Sequence, residues 1–255
     1  LSDAQGVRVA SSVRPALSVA DHEQGRVAIG EGPQHRNDDR TTGIAYSGWY
    51  RHMIPDDPRI DAAHEELLTR PGDAEALRLV ARHAYHSGQY ELAEWHYETL
   101  LAANSTDWAA QLRLAWTLRR QGKHSAEMKV YQQILAVEPS NILALSGAAT
   151  SLARLGRPAE AQDTFDAMQI LAATHPLTDT TNAILAAIQG DDDRALQSIA
   201  RAIEGQEQLD LELQIELRQD IAVDPVFARL RAGTKLRALL RRTMGAAAPR
   251  RAAAR

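Results

Sequence analysis

An all-α solenoid of about four stacked helix pairs is what this sequence predicts, on three observations. A ten-residue phrase returns at constant distance: GQYELAEWHY from Gly88, GKHSAEMKVY from Gly122, GRPAEAQDTF from Gly156 and GDDDRALQSI from Gly190, each 34 residues after the last. Small residues hold fixed columns in units that begin at Ala74, Trp108, Ile142 and Pro176. The eighth position reads Ala81, Ala115, Ala149 and Ala183, and the twentieth reads Ala93, Glu127, Ala161 and Ala195. Large residues hold the twenty-fourth position, as Tyr97, Tyr131, Phe165 and Ile199. Small columns allow two helices to approach closely, and large ones plug a helix into its neighbour. Between the columns, pairs such as Val80 and Ala84 or Leu114 and Leu118 recur at i, i+4, the apolar stripe of an amphipathic helix.

These residues resemble the tetratricopeptide repeat, whose period and small/large pattern they follow without an insertion from Ala74 to about Glu204. The resemblance implies a right-handed α-solenoid in which each pair buries its apolar face against the next. Two positions depart from the pattern: Glu127 replaces a small residue and Asn182 an aliphatic one, so looser packing is expected at both.

The elements follow in order. Residues 1–57 lack sustained periodicity and are rich in Gly, Pro, Asn and Asp, which predicts an extended arm. Ile60–Thr69 fits the second helix of an incomplete earlier repeat, a half-repeat cap on a solenoid covering 58–206. The segment 207–244 offers further helices, broken at Asp224-Pro225, expected to cap the far end. Residues 245–255 are expected to form a basic, flexible tail.

Charge is uneven along the chain. Nine of the 29 basic residues follow Asp224, where no acidic residue remains; the other 20 face all 33 acidic ones, leaving a body near −13 and an end of +9. The tail could touch an anionic membrane or an acidic partner, whereas the lack of aromatic stacking platforms there argues against nucleic acid. No apolar run reaches the roughly 18 residues that span a bilayer. The compartment stays open between cytoplasm, the slightly better fit, and periplasm.

Enzyme chemistry finds little support. The absence of cysteine removes thiol catalysis and Cys-based zinc sites. His83, His86 and His96 lie on two consecutive helices without a carboxylate companion, so they are expected to be surface histidines rather than metal ligands. No nucleophile elbow or phosphate-binding loop is complete, and Asp191–Asp193 sit where a helix needs a cap. No cofactor, metal or catalytic residue is expected.

What remains is a surface. The resemblance implies that the first helix of each pair lines a concave groove. Carried onto this chain, its lining includes Arg78, Arg82, Tyr85 and His86 from the first repeat, Arg113, Trp116, Arg119 and Arg120 from the second, and Arg154 from the third. Arg, Tyr and Trp are the types enriched at binding hot spots. Repeats three and four are small and apolar at the equivalent places. Two functions are compatible with this pattern: a scaffold or adaptor whose groove captures an acidic, partly apolar partner segment, or a constitutive structural subunit of a larger multiprotein assembly, at a membrane or away from one, held by its arm and tail. Trp95, on an outer helix, is a second candidate contact.

Overall fold

The computed structural model describes residues 58–245, with side chains to 241; the expectations for the arm 1–57 and for the tail beyond Gly245 lie outside the described residues. Twelve α-helices and two short 3-10 turns make up the described part. Helix α1 (Pro58–Thr69) precedes four pairs: α2 (Ala74–His86) with α3 (Tyr90–Ala103), α4 (Trp108–Arg120) with α5 (His124–Val137), α6 (Ile142–Arg154) with α7 (Pro158–Ala172), and α8 (Pro176–Gln189) with α9 (Asp192–Glu204). After a 3-10 turn come α10 (Leu211–Val223), a second turn at Pro225–Phe227, then α11 (Ala228–Ala232) and α12 (Thr234–Gly245).

Each pair is punctuated identically. Asp73, Asp107 and Asn141 accept a hydrogen bond from the backbone N–H of Ala76, Ala110 and Ala144, satisfying a donor that the helix start leaves orphaned. His175 does the same for Leu177 through its Nδ1. The first helix then ends on Gly88, Gly122, Gly156 or Gly190, all with φ between 70° and 84°. In that left-handed conformation the following N–H reaches back five residues, as from Gln89 to the carbonyl of Ala84 at 2.9 Å, and the chain reverses into the second helix.

The columns form the joints. Ala81, Ala93, Ala115, Ala149 and Ala195 have no exposed surface, and Tyr97, Tyr131, Phe165 and Ile199 are at most 4% exposed. Ala63 of α1 is buried with Ala76 and Val80, so the half-repeat covers the first pair. Each departure brings a polar contact to its joint. Glu127 is fully buried and faces Nδ1 of His124 at 3.0 Å, and Asn182 donates to the Ser198 hydroxyl at 2.8 Å. Polar pairing replaces apolar filling at both sites.

The segment 207–244 does two things rather than the single one expected of it. Phe227, Leu230 and Leu236 join Ile199, Ala202 and Ile203 in one core, so α11 and α12 close the last pair. Arg229 reinforces the closure by a bond to Asp192 at 2.5 Å. Helix α10 adds Leu217 and Ile221 to that core and also turns back, its acidic face meeting arginines of α2, α4 and α6.

Candidate functional site: an arginine row filled by an acidic helix

Helix α10 reads LELQIELRQDIAV and is capped by Asp210, whose side chain accepts from Leu213 N–H at 2.8 Å. With 3.6 residues per turn, a four-residue interval keeps side chains on one slowly drifting face. Glu212, Glu216 and Asp220 follow that interval, and Asp224 continues it one residue past the helix. Each meets an arginine of a repeat.

Glu212 pairs with Arg82 at 3.2 Å and also with Arg113. Glu216 accepts from the Tyr85 hydroxyl at 2.8 Å, from Arg120 at 3.0 Å and from Arg119 at 3.1 Å. Asp220 takes Arg120 at 2.9 Å and Arg119 at 3.2 Å. Asp224 takes Arg154 at 2.5 Å while its other oxygen caps Val226. Arg231 donates to the Asp224 carbonyl at 2.7 Å, tying the end of α10 to the closing helices.

Five guanidinium groups (Arg82, Arg113, Arg119, Arg120 and Arg154) thus face four carboxylates, and one positive charge is left over. The centre of the row is buried: Glu216 and Asp220 are about 5% exposed at the side chain, as is Arg120. Burial pushes Glu216 up, but Arg120, Arg119 and the Tyr85 hydroxyl outweigh it and hold the carboxyl below its usual range. For Asp220 burial wins over the same arginines, with Glu216 and Asp224 adding repulsion, and its carboxyl is raised. Asp224 is likewise pushed up by burial, yet Arg154 and the Val226 amide bring it below the usual range.

The other groove residues take different parts. Arg78 clasps Asp107, the cap of α4, and so joins two repeats rather than facing α10. Trp116 is 8% exposed, with the Arg113 guanidinium 4.5 Å above its ring. His86 and His96 are 8% and 3% exposed, which corrects the expectation that they are surface histidines. Burial lowers the His86 pKa to about 4, with Arg113 and Arg120 acting in the same direction against Glu216. Trp95 keeps 38% of its surface exposed, edge-on to His96 at 4.7 Å.

Beneath α10, between repeats two and four, lies a cavity of about 40 Å³ lined by Trp116, Arg119, Tyr131, Gly147, Leu213 and Glu216 among others. At roughly 10–15 Å³ per water that is room for about three molecules. Among the residues around it, the Tyr131 hydroxyl, Nε of Arg119 and one oxygen of Glu216 are buried without a hydrogen-bond partner among the described residues. The seam between α10 and the repeats is therefore polar and incompletely packed at its middle.

The acidic stripe of α10 is the part of this site that the reading of repeats alone misses. The signal was present as four carboxylates at intervals of four, opposite in charge to an arginine row in a 34-residue register.

No family model and no curated protein sequence matches the chain. Among solved structures it is similar in outline to MamA (13% identity, 76% of this chain and 97% of that one, TM-score 0.46). It is also similar to TTC0263, a thermophilic TPR protein in Thermus thermophilus (21% identity, 71% and 95%, TM-score 0.48). A third is YrrB, a TPR protein with an unusual peptide-binding site (16% identity, 71% and 94%, TM-score 0.46). At these scores none of them says what this chain does. Its own 34-residue period, glycine turns and buried small and large columns, all realised in three dimensions, make the described part of the chain an all-α solenoid of stacked helix pairs.

Proposed function

We propose that this protein is a non-enzymatic protein-interaction scaffold whose concave groove takes an acidic, partly apolar helical segment of a partner. One observation carries this: the groove already holds such a segment, α10, through Arg82, Arg113, Arg119, Arg120 and Arg154. Arginine suits the task because its planar fork meets carboxylates with fixed geometry, and Trp116 and Leu143 add apolar surface beside the row.

The test compares two amphipathic helical peptides that differ only in an acidic stripe and its amide counterpart. The acidic peptide should bind more tightly, and its affinity should fall as salt rises. Reversing charge at Arg82 and Arg120 should weaken capture and flatten the salt dependence. Equal affinity for both peptides would rule the groove out as the binding surface.

A second reading, a constitutive subunit of a larger assembly, is favoured by the fact that the groove is filled while Val137 and Ile170 stand 87% and 86% exposed at the ends of outer helices. On this reading the arm, the basic tail or an anionic surface supplies the attachment. Limited proteolysis that removes both ends and leaves a core from about Ile60 to Arg242, together with salt-sensitive binding to anionic vesicles, would support it over the first.

A further inference from the structure

We infer that α10 is a built-in, displaceable occupant of the groove, and that the partner able to displace it is an amphipathic helix with carboxylates at every fourth residue beside a Leu/Ile stripe. This rests on the scaffold function proposed above and adds how the groove is regulated.

The two halves of α10 are held differently. Leu217 and Ile221 are buried with Phe227 and Leu230 in the core of the last pair, which anchors the C-terminal half. The N-terminal half, over repeats one and two, is held by the ion pairs of Glu212 and Glu216, by Leu213 and by the Tyr85 hydroxyl. Leu211 at its start is 57% exposed, and the cavity lies directly under Leu213 and Glu216.

Buried ion pairs of this kind contribute little net stability, since desolvation offsets most of the attraction, but they penalise any state that leaves one partner alone. Opening the groove to water without a replacement would strand the buried Arg119 and Arg120. Exchange for another helix with the same stripe would conserve every pair. The row therefore excludes neutral and basic segments and admits a like-for-like competitor. The linker Gly205–Asp210 contains a single 3-10 turn and is tied back by Leu209 in the core of the last pair and by Gln206, which accepts from Arg218, so release is confined to the part of α10 between these anchors.

The experiment uses the full chain and a dye-labelled peptide of residues 209–224, with a second peptide in which Glu212, Glu216, Asp220 and Asp224 are amides. Glu212→Lys frees Arg82 and Arg113 from α10, and this variant should bind the acidic peptide at least tenfold more tightly than the wild type. Because the chain has no cysteine, Arg82→Cys and Glu212→Cys can be joined by a bismaleimide. The joined form should lose peptide binding at least tenfold relative to the unjoined one, with unchanged helix content and a melting temperature no lower, since the cross-link constrains the unfolded chain. Binding that is the same in the wild type, Glu212→Lys and the joined form would overturn the displacement of α10 while leaving groove recognition intact if the amide peptide still fails to bind. Acidic and amide peptides binding equally would instead overturn groove recognition, and the inference with it.

Discussion

Tyr85 donates its hydroxyl hydrogen to Glu216 over 2.8 Å, joining the first repeat to a helix 131 residues further along the chain. The bond sits within a cluster whose members are unequal. Glu216 also accepts from Arg119 and Arg120, so its removal leaves those two buried guanidiniums with Asp220 alone, whereas loss of the tyrosine hydroxyl takes one acceptor from Arg120 and leaves both carboxylates in place. Glu216→Ala should cost about 3–5 kcal/mol and Tyr85→Phe about 1–2 kcal/mol, read from urea midpoints. Equal costs would show that the carboxylate is not the hub.

Acid should loosen the protein before the ordinary carboxylate range is reached. A buried histidine with a pKa near 4 in the fold and near 6.5 when unfolded binds its proton more readily in the unfolded chain. Stability from His86 is thus complete above pH 6.5 and lost as pH falls towards 4, by up to about 3 kcal/mol. Glu216 and Asp224, both depressed, lose their share at still lower pH, while the raised Asp220 gains a proton more easily in the fold and opposes that loss. The urea midpoint of His86→Gln should be flatter than that of the wild type between pH 6.5 and 4. Parallel curves would remove His86 as the cause.

Gly147 sits inside α6, where alanine would normally be favoured by about 0.5–1 kcal/mol. A Cβ there would lie 2.0 Å from the Tyr131 ring. Gly147→Ala should therefore destabilise, by about 1–3 kcal/mol, against its helix propensity. Tyr131→Phe, which deletes a buried hydroxyl without a partner among the described residues, should be neutral or stabilising. Thermal melts of the two variants test the pair, and a stabilised Gly147→Ala would contradict the close approach.

Ala115 has no exposed surface at the joint of α4. Ala115→Leu should overpack that joint and cost on the order of 1–3 kcal/mol. An unchanged melting temperature would count against the repeat register.

How much of this was legible in advance differs by element. The repeats were, because a 34-residue period places Ala81, Gly88 and Tyr97 under the same steric demands four times over, and local demands of that kind are written in local residue choice. Arg82, Arg113, Arg119, Arg120 and Arg154 were legible as a row for the same reason. What faces them was not. The position of α10 depends on how the chain turns between Gly205 and Asp210, and carboxylates at intervals of four mark a charged face without saying that its partners lie 96 residues away, the separation of Arg120 from Glu216. His86 and His96 were misjudged because burial of a second helix face depends on the neighbouring repeat and on α10, not on the helix's own pattern.

The central claim is that α10 occupies the groove of the free protein and leaves it for an acidic helix. Electron–electron distance measurement between spin labels at Leu211→Cys on α10 and Glu75→Cys on α2, both exposed positions outside the ion pairs, tests it in the full chain. The account predicts one narrow distance for the protein alone and a second, longer one that grows with added acidic peptide but not with its amide counterpart. A broad distribution in the absence of peptide, or a narrow one that saturating acidic peptide leaves unchanged, would contradict it.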